Sequence, residues 1–237
     1  MQGAVEAALS RVADAPVTVH CAGRTDAGVH ALAQVCHFDA PVARPIRAWT
    51  FGVNSHLPEA IAVHWAARVA DDFHARHSAL WRAYRYTILN RPARPGLEAG
   101  RVGWVREPLD AARMHAAAQA LVGEHDFQSF RAAGCQAPHA VREIHAIAVR
   151  REGARVTLEV RANAFVHNMV RIVTGSLVAV GRGDRPVGWI AEVLGARDRT
   201  SGGATAPPGG LALVQPGYPE RFGVPDFAAL ARGGRHR

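Results

Sequence analysis

The chain has 237 residues, a net charge of +8 and a pI of about 10.8, with 49% apolar and 20% charged residues. Such a length can bury a sizeable core as one large or two small domains, and the apolar balance excludes a disordered chain. No apolar run reaches a membrane span, and the basic balance points to a polyanionic partner.

The positive charge is all arginine, because the sequence has no lysine. The N-terminus shows no basic flank followed by an apolar core, so no signal peptide is expected. Cys21, Cys36 and Cys135 form an odd, sparse set without C-x-x-C. They suit a reducing, cytoplasmic compartment better than a disulfide framework.

Gln2 to Val12 reads as a helix with Val5, Ala8, Leu9 and Val12 on one face. The apolar run Val17 to His20 reads as a strand. It leads into Cys21-Ala22-Gly23-Arg24-Thr25-Asp26-Ala27-Gly28-Val29-His30. Glycines bracket Arg24, Thr25 and Asp26, so the stretch reads as a tight loop holding a carboxylate and a guanidinium at a strand end. A plain turn with an Asx hydrogen bond, or a solvated Arg/Asp pair, fits the same spacing. The common phosphate-loop patterns are absent.

Ala33 to Phe38 reads as a second strand and Pro41 to Pro45 as a turn carrying Arg44. Ile46 to Asn54 reads as a helix and Ile61 to Val69 as a strand. A polar loop, Asp71 to His77, follows. Leu80 to Leu89 is rich in strand formers, with Arg82, Tyr84 and Tyr86 on one face. Asn90 to Gly103 reads as a loop, which divides the chain into halves at 1–90 and 105–237 with 91–104 as linker.

Asp110 to Val122 reads as a helix capped by Asp110. After Gly123 to Arg131, Val141 to Arg151 and Ala154 to Ala162 read as paired strands joined at Glu152-Gly153, with Val156, Leu158 and Val160 inward. Asn163 to Leu177 reads as a strand end entering a helix. Met169, Val170, Val173, Leu177 and Val180 form its apolar stripe. His167 and Arg171, four apart, share another face. Trp189 to Leu194 reads as a short helix, Ser201 to Gly210 as a loop and Gly210 to Val214 as a last strand. The arginine-rich tail after Phe222 is expected to be mobile. The 13 histidines form no H-E-x-x-H pattern, so no metal site is expected.

Gly23 to His30 resembles the signature loop of the tRNA pseudouridine synthase TruA family, and Asn163 to Leu177 is similar to its second long motif. Gly123 to Arg131 and Gly210 to Val214 also resemble it, and the likeness runs from Gln2 to about Arg221. The resemblance implies the α+β pseudouridine synthase fold: two similar halves of mainly antiparallel sheet, helices packed on one face, and a central active-site cleft. It implies isomerisation of uridine to pseudouridine at positions 38, 39 and 40 of the tRNA anticodon stem-loop, without a cofactor, by a homodimer. By the same likeness Asp26 stands in the place of the catalytic nucleophile, Arg171 in that of its ion-pair partner and Tyr84 in that of the residue stacked on the target base. Arg24 and Arg44 correspond to base-flipping arginines, and Leu211 lies near the site. Phe73, His74, Ala75, Arg76 and His77, with Gly134, Cys135 and Gln136, correspond to tRNA contacts. Two features depart from the family: no strand and glycine turn stand ahead of Gln2, and Ala137-Pro138 replaces more polar residues. The alternative is a catalytically impaired tRNA-binding or folding protein of the same fold.

Overall fold

The computed structural model describes residues 1–226. In chain order the elements are α1 (Gln2–Ala13), β1 (His20–Cys21), β2 (His30–Ala31), β3 (Cys36–His37), β4 (Trp81–Asn90), β5 (Gly103–Val105), α2 (Ala111–Ala118), β6 (Gly123–Asp126), β7 (Val141–Glu152), β8 (Arg155–Ala162), α3 (Met169–Gly181), α4 (Trp189–Ala196) and β9 (Leu211–Gly217). They fall into two compact units interleaved in sequence. One holds residues 1–24, 34–79 and 218–225, the other 25–33 and 80–217, and neither coincides with a division at 91–104.

In the first unit α1 buries Ala8, Leu9 and Ala13 against Val17, Val19, Trp49 and Val53. Asp14, at φ 55°, ends the helix in the left-handed conformation. The two strands expected here shorten to a two-residue antiparallel ladder of β1 and β3. Residues 46–54 are helical as expected, with a π turn over Ala48–Gly52. The strand expected over Ile61 to Val69 does not form. The Asn54 amide takes the place of a neighbouring strand: Val63 N donates to its Oδ1 at 2.7 Å and its Nδ2 donates to the Val63 carbonyl at 2.8 Å.

The second unit is built on a seven-stranded sheet of order β2-β9-β4-β8-β7-β6, with β5 also pairing β4. All pairings are antiparallel except β2 with β9 and β4 with β5. Alternation puts Tyr86 and Ile88 of β4, Val156, Leu158 and Val160 of β8, and Ile147 and Val149 of β7 into one core with residues of all three helices. The opposite face is charged: Glu159 lies 2.7 Å from Arg85 and 3.5 Å from Arg150. Helices therefore cover one face of an antiparallel-rich sheet, the expected α+β architecture. Truncating a fully buried member such as Leu158 to alanine costs about 2–5 kcal/mol.

Helix α3 carries the site and is almost wholly buried. Glycine is a poor helix former, yet Gly175 sits mid-helix because the Ala204 carbonyl lies where a Cβ would be. Gly203 N donates to Ser176 Oγ at 2.9 Å and Ala206 N to the Arg171 carbonyl at 3.0 Å, so the 203–206 loop lies directly on this helix. Helix α2 begins as expected, with the Asp110 carboxylate accepting from Arg113 N. No helix of the described residues is long and apolar enough to cross a membrane. The tail residues Arg232, Arg235, His236 and Arg237 lie outside the described residues.

Candidate active site

Asp26 opens a four-residue turn in which Val29 N donates to the Asp26 carbonyl at 3.0 Å. Gly28 takes φ 81°, and a Cβ there would meet Pro208 Cγ at 3.0 Å. Glycine thus satisfies both the left-handed backbone and the close approach. Strand β2 then moors the turn to the sheet: His30 and Ala31 pair in parallel with Ala212 and Leu213, and Leu32 N donates to the Leu213 carbonyl at 2.8 Å. His30 Nε2 donates to the Gly100 carbonyl at 2.8 Å. Segment 25–33 is in this way part of the second unit, together with Arg171.

The partner groups stand at the N-terminal end of α3. Asn168, at φ 60°, precedes the helix in the left-handed conformation. Arg171 lies in the first turn, its side chain only 16% exposed. Its Nε donates to the Ala206 carbonyl and its Nη1 to Asn168 Oδ1, both at 2.8 Å. Nη1 is 4.0 Å from Asp26 Oδ2, and Nε2 of His167 is closer, at 3.5 Å. The Asp26 side chain is 46% exposed, so the carboxylate faces the Arg171 guanidinium and the His167 imidazole and is otherwise partly open. A helix N-terminus adds a favourable potential for an anion.

His167 does not share a helix face with Arg171, as its spacing suggested. It lies in the turn ahead of α3, where its carbonyl accepts from Ala132 N at 3.1 Å and its N donates to Cys135 Sγ at 3.4 Å. Arg131 folds the 132–137 loop around itself by donating to the Cys135 and Ala137 carbonyls at 2.7 Å. Within that loop Cys135 touches the backbone of His167, while Gly134 and Gln136 are exposed.

Tyr84 is half-buried on β4, with its ring 5.0 Å from that of Phe165 and edge-on to it. A register shift between β4 and β9 falls at Ala83 and Tyr84, the kind of bulge that re-aims a side chain. Burial pushes the Tyr84 phenol up to about 12, the Arg82 guanidinium opposes this, and the Asp26 carboxylate adds to it. Tyr84 thus feels the Asp26 charge and is a neutral phenol near pH 7. Tyr86 turns into the core and donates to the Pro207 carbonyl at 2.8 Å. Leu211 is buried opposite it.

The remaining candidates lie in the first unit. Arg24, Arg44, Arg76 and His77 are exposed and His74 is half-exposed. Phe73 and Ala75, by contrast, are buried. Phe73 is buried against Tyr218 and Phe222, with ring distances of 5.2 and 5.1 Å, and Ala75 is fully buried. The buried Phe73 ring and Ala75 anchor this loop, and Arg76 and His77 beyond them are exposed. The histidines are less scattered than their spacing suggests: the rings of His20, His37, His74 and His77 form a cluster with centroid distances of 4.3 to 5.4 Å.

His167, Asn168, Phe165 and the Ala206 carbonyl were not among the expected site residues. Asn168 and Phe165 are polar and aromatic neighbours inside a motif already singled out, which was the available signal. The Ala206 carbonyl had none, because a backbone acceptor has no residue type.

An open carboxylate beside two basic groups, with a paired aromatic face nearby, is the equipment of an acid, base or nucleophile acting on a flat polar ring. A sequence model of the family described as tRNA pseudouridine synthase matches residues 1–78 and 117–219. The chain is 54% identical over 230 residues to the tRNA pseudouridine synthase A of Stenotrophomonas maltophilia (strain R551-3), covering 97% of this chain and 90% of that protein. It is 55% identical over 225 residues to the protein of that name from Xanthomonas euvesicatoria pv. vesicatoria (strain 85-10), and 54% over 225 residues to that from Xylella fastidiosa (strain M12), each covering 95% of this chain and 88% of the relative. The chain belongs to the tRNA pseudouridine synthase family, whose members are isomerases.

Proposed function

We propose that the chain converts uridine to pseudouridine in tRNA, at positions 38, 39 and 40 of the anticodon arm, with Asp26 as its catalytic carboxylate. The bond from uracil N1 to the sugar breaks, the base turns, and C5 joins the same sugar carbon. The C5 proton leaves and N1 gains one, so substrate and product are isomers and no electrons change hands. Attack on the sugar or the ring and proton transfer from the sugar all call on the same carboxylate. The observation that carries this reading is the arrangement at Asp26: an exposed carboxylate faced by the Arg171 guanidinium, held by Asn168 and the Ala206 carbonyl, and by the imidazole of His167, whose backbone is tied to the 132–137 loop.

Arg171 acts as a fixed cation that keeps Asp26 oriented and offsets its charge. Tyr84 stacks on the extruded uracil, an interaction worth about 1–3 kcal/mol per base. Its hydroxyl can relay the C5 proton, taking it while passing its own proton to a base such as the Asp26 carboxylate. Arg24 and Arg44 take part in holding the strand from which the base has left the stack. His74, Arg76 and His77 supply phosphate and base contacts, anchored by the buried Phe73. A second copy of the chain completes the tRNA surface.

The test uses unmodified tRNA tritiated at uracil C5. Tritium release matched by pseudouridine at positions 38 to 40 supports the reading. Tight tRNA binding with no release would instead favour the impaired tRNA-binding protein.

A further inference from the structure

The first unit sets two cysteines face to face. Cys21 of β1 and Cys36 of β3 are direct partners in the antiparallel ladder. The adjacent pair is joined by Ala22 N donating to the Val35 carbonyl at 2.8 Å. Directly opposed residues alternate between hydrogen-bonded and non-hydrogen-bonded positions, so Cys21 and Cys36 occupy the non-hydrogen-bonded kind. There the Cα atoms are about 4.5 Å apart and the side chains are closest. A disulfide bridges Cα separations of about 4.4–6.8 Å, so this pair can close without moving its strands. The sulfurs stand 3.2 Å apart, with the Cys36 thiol donating to Cys21 Sγ. Both cysteines are free and only partly buried.

We propose that Cys21 and Cys36 are a reversible thiol–disulfide site whose oxidant is a small hydroperoxide. The hydrogen bond from Cys36 holds the Cys21 thiol down at about 7, against the opposing effect of burial, and raises that of Cys36. Cys21 is therefore the attacking thiolate and Cys36 the resolving thiol. The Cys21 thiolate attacks the hydroperoxide oxygen, the O–O bond breaks, and the departing oxygen takes a proton and leaves as an alcohol, or as water from hydrogen peroxide. Cys21 is left as a sulfenic acid. The Cys36 sulfur attacks it, gives up its proton, and the sulfenic oxygen leaves as water. The two thiols lose two electrons and the hydroperoxide gains them. A dithiol reverses the bond by exchange. Strand β1 runs on in sequence into the Asp26 turn, so the bond clamps the chain just ahead of the catalytic residue.

The test treats the reduced full chain with hydrogen peroxide in small excess, blocks remaining thiols with N-ethylmaleimide, and reads intact mass and peptides. The expected result is loss of two of the three maleimide adducts, a protein lighter by two hydrogens before alkylation, and one linked peptide pair containing Cys21 and Cys36. Dithiothreitol restores all three adducts. In Cys36→Ser, dimedone labels Cys21 and no internal bridge forms. Retention of all three adducts overturns the proposal. So does a bridge to Cys135 or to a second molecule, or oxidation of Cys21 to the sulfinic acid with Cys36 still a thiol.

Discussion

Arg171 reaches Asp26 without bonding it: Nη1 stands 4.0 Å from Oδ2, while the Ala206 carbonyl and Asn168 Oδ1 hold the same guanidinium at 2.8 Å. The cation is placed by its scaffold rather than by a hydrogen bond to the carboxylate. Lysine has no planar fork to satisfy two acceptors and still face a third. Arg171→Lys and Arg171→Ala are both expected to lower the single-turnover rate by about 10²–10³-fold, the scale of removing one fixed electrostatic partner. Rapid-quench kinetics on tritiated tRNA, with a melting curve to check the fold, measures this. Lysine at near-normal rate would mean that charge alone suffices.

Asn168 carries two duties that substitution separates. It holds a left-handed backbone and supplies the Oδ1 that bonds Arg171. Asn168→Gly keeps the backbone and loses the acceptor; Asn168→Ala loses both and adds about 1–2 kcal/mol of strain. Both variants are expected to be slow, and only the alanine variant is expected to melt clearly earlier. Equal melting temperatures would contradict the strain argument.

Gly28→Ala meets a positive φ and a proline carbon at 3.0 Å together. The expected cost is about 1–2 kcal/mol in stability, with a larger loss of turnover because the Asp26 turn must shift. Chemical denaturation and kcat on the same preparation test this. A rate loss no greater than the stability change explains would mean that the turn is not a positioning device.

Burial raises the Tyr84 and Tyr86 phenols to about 12. Unfolded tyrosines ionise near pH 10. The stability these two residues contribute is therefore full below about pH 10 and is lost as pH rises through about 12. An absorbance titration of tyrosinate should show one fewer late-ionising tyrosine in Tyr84→Phe than in the parent, and one fewer again when Tyr86→Phe is added. An unchanged late phase in Tyr84→Phe would place the burial elsewhere.

Much of the fold is legible in residue order. The β7–β8 hairpin and the inward Val156, Leu158 and Val160 follow from alternation, and α2 from its Asp110 cap. The Asp26 loop and the α3 motif stood out as candidates, and the structure brings Asp26, Tyr84 and Arg171 into one neighbourhood. What sequence could not show was tertiary. Val63 is bonded by an asparagine side chain rather than a strand, and Phe73 turns inward from a loop whose composition reads as polar. His167 enters the site through a loop contact with Cys135, which no local period encodes.

The most direct measurement compares tRNA affinity and pseudouridine formation in Asp26→Asn, which keeps the size and one acceptor oxygen while removing the charge. The expected result is affinity within a few-fold of the parent and no detectable pseudouridine at any uridine of the anticodon arm. Pseudouridine formed at a substantial fraction of the parental rate would remove Asp26 from the chemistry.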